Sequence, residues 1–128
     1  MDLFIYLDGS NIDPVDFDKL SHPICESISE WVKQNPSNVI LVNQRSDEPD
    51  GDTSHPREFP ALGIHMVVKR KTELKVPLNF FYTLAKQHKQ EFVLGVLDKE
   101  TGATEEVYYF GFEEGKPDAF EVSNYVGL

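Results

Sequence analysis

From Glu91 to Gly115 the chain reads EFVLGVLDKETGATEEVYYFGFEEG, and its apolar positions fall into two blocks. Phe92 to Leu97 is an uninterrupted apolar run, and Val107 to Phe112 is β-branched and aromatic. Asp98-Lys99-Glu100-Thr101-Gly102 lies between them, so the spacing predicts an antiparallel hairpin. Gly102, near the end of the loop, supplies the positive φ that other residues resist. A run without polar alternation predicts a strand covered on both faces and central in its sheet. Its partner opens on Glu105-Glu106 and is followed by Glu113-Glu114, so both ends should reach solvent while the aromatic middle does not.

The rest of the chain follows the same logic. Leu3 to Leu7 is a first apolar strand, ended by the turn residues Asp8-Gly9-Ser10-Asn11. Pro14 suits the first turn of a helix whose positive end favours Asp16 and Asp18. His22-Pro23 is expected to interrupt or kink that helix. Ser21 is placed to cap its continuation, in which Ile24, Cys25, Ile28, Trp31 and Val32 share one face. Asn35-Pro36-Ser37-Asn38 stops the helix before a second apolar strand, Val39 to Val42, and the strand-helix-strand order predicts a parallel crossover unit. Arg45 to Pro60 has three prolines and no periodicity, which predicts a long surface loop. Leu62 to Arg70 alternates as a half-covered strand, with Ile64, Met66 and Val68 facing one way. Pro77 opens a second helix with Phe81, Leu84, Ala85 and His88 on one face. Asp118 to Glu121 has capping-box spacing and Gly127 suits a helix end, so a short final helix is expected. The predicted fold is a single α+β domain, residues 1–128, with a mixed, roughly five-stranded sheet in the order β-α-β-β-α-β-β-α and helices packed on it.

Composition supports a globular domain: 128 residues, 40% apolar, with nine Phe, five Tyr and one Trp, suffice for a packed core. The opening residues have an acid at position 2 and no basic region, so neither signal peptide nor membrane anchor is predicted. The single cysteine, Cys25, fits a reducing, cytoplasmic setting. The net charge of −10 argues against nucleic acid as a ligand, which demands phosphate neutralisation. Acids are concentrated at the two ends of the sequence. Residues 1–60 hold 4 basic and 12 acidic side chains, 61–90 hold 6 and 1, and 91–128 hold 2 and 9. Such a bias keeps a protein soluble, and it also steers a basic partner.

The catalytic patterns fail one by one. Asp47, Asp50, Asp52 and Glu58 do not fit a calcium loop, because Pro49, Gly51 and Asp52 stand where ligands and a glycine are required. The four histidines have no zinc spacing, and Cys25 belongs to an apolar helix face. No nucleophile elbow, dinucleotide fingerprint or phosphate loop occurs, and Lys69-Arg70-Lys71 with Lys75 reads as a solvated rim. No enzyme, metal or cofactor is therefore expected. One stretch does carry a likeness: Ile5 to Asn11, IYLDGSN, resembles the first motif of the PIN and NYN-type ribonucleases, a strand ending in Asp-Gly-x-Asn. That resemblance implies Asp8 in a divalent-metal site with Asn11 beside it, although the later Ser-x-Asp-x-Asp-Phe type of motif is missing.

In its size, its acidity and stretches such as YYFGFEEGKPDAFEV, the chain looks like the immunity proteins that bacteria pair with toxins of contact-dependent inhibition and other polymorphic toxin systems. The resemblance implies binding to a cognate basic toxin, of nuclease type, whose substrate surface an acidic protein covers by charge complementarity. Asp47, Glu48, Asp50 and Asp52 on the long loop, together with Glu105, Glu106, Glu113, Glu114 and Tyr108, are the expected partner-binding residues. A metal-dependent ribonuclease using Asp8 and a non-enzymatic adaptor domain are the alternatives.

Overall fold

The computed structural model describes residues 1–9, 12–34, 39–43, 62–98, 100–102 and 104–128. Five strands occur, β1 (Asp2–Leu7), β2 (Val39–Asn43), β3 (Leu62–Val67), β4 (Glu91–Leu97) and β5 (Thr104–Gly111). The helices are α1 (Pro14–Gln34), α2 (Lys75–His88) and α3 (Ala119–Val126), with a 3₁₀ turn at Lys71–Leu74 leading into α2. The α+β class and the element order are those read from the sequence. The sheet order is β2-β3-β1-β4-β5, and every neighbouring pair is antiparallel. The mixed sheet expected from the sequence is therefore antiparallel throughout. β1 and β2 do run in the same sense, but β3 lies between them. Likewise β1 lies between β3 and β4, so the chain makes two interleaved split β-α-β units with β5 added as a hairpin.

Side-chain alternation decides which face is covered. Leu3, Ile5 and Leu7 of β1, Leu62, Ile64 and Met66 of β3, and Phe92, Leu94 and Phe110 join Ile24 and Ile28 of α1, Leu78, Phe81 and Leu84 of α2, and Val122 and Val126 of α3 in one core. All three helices thus lie on the same side of the sheet. The opposite face carries two rows that cross every strand. One is Val42, Gly63, Tyr6, Val93 and Tyr109, and the next is Ile40, His65, Phe4, Gly95 and Glu106. There His65 stacks on Phe4, ring centroids 4.6 Å apart, and its Nε2 lies 3.0 Å from Asp2 Oδ1.

Two expectations for α1 are corrected. The helix is continuous through His22-Pro23, and Ser21 does not cap a second segment but is fully buried inside the first. An internal proline removes one helical hydrogen bond and crowds the preceding turn. Here Pro23 itself points to solvent while the adjoining Ile24, Cys25 and Ile28 are buried against the sheet, and that burial holds the helix together. The hairpin loop and final helix follow the sequence more closely. The Asp98 carboxylate accepts from the Glu100 and Thr101 amides at 2.8 and 3.4 Å, and Gly102 has φ +75°. Asp118 caps α3 by accepting from the Phe120 and Glu121 amides, and Gly127 closes it.

Candidate functional site

β5 is an edge strand, and its pairing with β4 shifts register between Leu94 and Gly95. Tyr108 faces Leu94 while Glu106 faces Gly95, so Val107 is the extra, bulged residue. Plain alternation would set Glu105, Val107 and Tyr109 on one face. The bulge instead turns Glu106 onto the helix-free face beside Tyr109, the kind of re-aiming that bulges accomplish. The Tyr109 hydroxyl donates to Glu106 Oε2. This bond, aided by partial burial and by the Glu106 and Asp8 charges, pushes the Tyr109 phenol up to about 12. On β1, two strands away across β4, burial raises the Tyr6 phenol well above its usual range, and the Glu106 carboxylate, Tyr109 and Asp8 reinforce the shift. Both tyrosines therefore remain neutral donors beside two carboxylates at any physiological pH.

Beyond β5 the chain folds into a tight turn in which Gly111 and Gly115 exchange both amide-to-carbonyl bonds, at 3.0 and 2.8 Å. Gly111 has φ +148°, and a Cβ there would lie 2.6 Å from the Gln90 carbonyl oxygen, so only glycine fits. The turn holds Phe112, Glu113 and Glu114 outward. It is fixed by Glu91, the first residue of β4, whose carboxylate accepts from the Glu113 amide at 2.9 Å and the Glu114 amide at 3.0 Å. Glu91 escaped the sequence reading, because nothing local to it points to a turn more than twenty residues away.

The expected partner-binding residues divide into three groups. Asp47, Glu48, Asp50 and Asp52 lie outside the described residues, as does Asn11 of the ribonuclease-like motif. Glu105 and Glu106 stand at the start of β5 on opposite faces of the sheet, and Glu113 and Glu114 lie in the turn past its other end; all four are exposed, and no salt bridge reaches them among the described residues. Tyr108 stands apart: it is half-buried on the helix side, its ring tilted against Tyr125 at 5.8 Å, with its phenol raised chiefly by burial and opposed by a hydrogen bond with the Asp118 backbone. Among the described residues the exposed aromatic side chains are instead Tyr109, Phe112, Phe120 and Tyr125, at 44, 50, 65 and 60% exposure. The last two project from α3, whose Val122 and Val126 are buried in the core.

For the chemistry weighed from the sequence, Asp8 donates its amide to the Glu91 carbonyl at 3.0 Å at the end of β1. Among the described residues no three His, Cys, Asp or Glu side chains gather in a way that could hold a metal ion. Cys25 is buried, with Asn43 Nδ2 3.5 Å from its sulfur. Among the described residues no helix is long and apolar enough to cross a membrane. The β5 edge and the turn after it expose four carboxylates and the rings of Tyr109 and Phe112. No protein-family model, no curated protein and no solved structure matches the chain.

Proposed function

We propose that this domain is a non-catalytic cytoplasmic inhibitor of the immunity type, which binds a basic protein toxin of nuclease type and covers its substrate surface with β5, the turn after it and α3. One observation carries the reading: among the described residues every exposed aromatic lies between Tyr109 and Tyr125, on β5, the turn after it and α3, and no salt bridge reaches the four glutamates of β5 and that turn. Glutamates at a rim attract a basic partner and raise its association rate, and exposed aromatic rings supply the desolvated anchors that slow its departure. The charge of the whole chain, −10, acts in the same direction.

The test uses the protein encoded beside this one as the partner, with association followed by stopped flow at several salt concentrations. Replacing Glu105, Glu106, Glu113 and Glu114 by Gln should leave the melting temperature nearly unchanged, slow association roughly tenfold and flatten its salt dependence. Phe120→Ala and Phe112→Ala should instead speed dissociation. An unchanged association rate and salt slope in the neutralised variant would overturn the proposal. So would metal-dependent RNA hydrolysis by the purified domain that disappears in Asp8→Ala.

A further inference from the structure

The other edge of the sheet breaks two rules at once. β2 reads Val-Ile-Leu-Val-Asn, an apolar strand without polar alternation, and such strands are ordinarily interior and covered on both faces. Yet β2 is an edge strand, none of its five residues is buried, and Ile40 is 63% exposed. Edge strands left to solvent are guarded by charges, prolines or bulges. β5 has such guards, two glutamates and a bulge, whereas β2 has none.

We propose that β2 is the seam of a two-fold dimer, in which it pairs antiparallel with β2 of a second copy of this chain. A self-pairing strand must not set like charges opposite each other, and β2 carries no charge in a protein of net charge −10. With the axis through Leu41, Ile40 of each copy faces Val42 of the other, two apolar contacts on the helix-free side. The flanking helix adds charge complementarity. His22, Glu26, Ser29, Glu30 and Lys33 of α1 line an open groove of about 530 Å³ together with Leu41 and Asn43. Asn43 touches Cys25. Strands rise about 3.3 Å and helices about 1.5 Å per residue, so Leu41 lies level with the helix roughly four residues beyond Cys25, near Ser29. A two-fold axis there sets Glu26 of each copy opposite Lys33 of the other. A basic partner would find nothing on β2 to recognise, which is why a second copy is the better occupant, and β5, at the far edge of the sheet, stays available.

Sedimentation equilibrium of the full chain tests the proposal. At about 100 µM the wild type should be mainly dimeric, whereas Ile40→Lys, a change at an exposed position, should be monomeric with an unaltered circular dichroism spectrum. Lys33→Glu should weaken the dimer about tenfold, and adding Glu26→Lys to it should restore the affinity. A wild type that stays monomeric up to about 1 mM, or a dimer that Ile40→Lys leaves intact, would overturn the seam. Failure of the charge swap to rescue would overturn the two-fold register. None of these outcomes depends on the partner at β5, so they leave the proposed function to its own test.

Discussion

Leu94 and Val96 belong to the same apolar run, yet the structure separates them, and truncating each to alanine should do the same in solution. Leu94 is fully buried, paired with Ile5 of β1 on one side and Tyr108 of β5 on the other, and it faces the core beneath the helices. Leu94→Ala removes three buried carbons, worth about 0.8 kcal/mol each in transfer, or roughly 2.5 kcal/mol. The cavity left between three strands adds on the order of 1–2 kcal/mol, because a sheet interior collapses little. The expected loss is therefore about 4 kcal/mol, a large part of the roughly 5–15 kcal/mol that holds a domain folded. Val96 is half-buried and lies beside the hairpin loop, so Val96→Ala should cost about 1 kcal/mol. With a urea slope of about 1–3 kcal/mol per molar, the two midpoints should fall by about 2 M and about 0.5 M below wild type. Equal midpoints for the two variants, or a Leu94→Ala midpoint at the wild-type value, would refute the claim that interior packing on β4 is concentrated in its first half.

Two further outcomes follow from the β5 edge. In a spectrophotometric titration Tyr109 should ionise near pH 12, and Glu106→Gln should move it back toward 10. Because the folded phenol titrates above the unfolded one, its stabilisation is present below pH 10 and is lost as pH rises from 10 through 12; with the ring 44% exposed, solvent screening keeps it below about 1 kcal/mol. A titration unaffected by Glu106→Gln would show that the bulge does not bring the two side chains together. Glu91→Ala should free the Glu113 and Glu114 amides, raising their hydrogen exchange about tenfold while costing about 1 kcal/mol of stability; unchanged exchange would mean that the turn is held by Gly111 and Gly115 alone.

Local chemistry made much of this fold legible. The hairpin, the cap at Asp118, the helix end at Gly127 and the buried faces of α1 and α2 each depend on residues a few positions apart. Strand order was less accessible, because Val39 to Val42 is as apolar as an interior strand and yet lies at an edge, and nothing local tells β1 that its neighbours will be β3 and β4. The proline at position 23 misled for a related reason: the penalty is local, while the burial that offsets it is tertiary. At the candidate site the glutamates were visible as charges, but their arrangement was not. Alternation alone assigns Glu106 to the wrong face, since a bulge shows only when the partner strand is in view. Tyr108 and Tyr109 are adjacent and chemically identical, and the same register makes one a packing residue and the other a surface ring.

The two edges of the sheet imply a division of labour that one chain could not achieve with like edges. A strand end left open invites any other strand, so a small five-stranded sheet must either guard both edges or use them. β5 is guarded by charge and by its bulge, and those same features would make it attractive to a basic surface while unattractive to a second copy, whose identical glutamates repel it. β2 is the converse, neutral and apolar, indifferent to a basic surface and tolerant of its own image. If both proposals hold, the two interactions are compatible, because three strands separate the edges, and the assembly is two inhibitors back to back with a partner at each outer end. Linkage then sets a condition: partner binding should not shift the dimer equilibrium measurably, since each event buries surface the other leaves untouched. A partner that splits the dimer would place its contact on β2 and require the acidic edge to serve solubility alone.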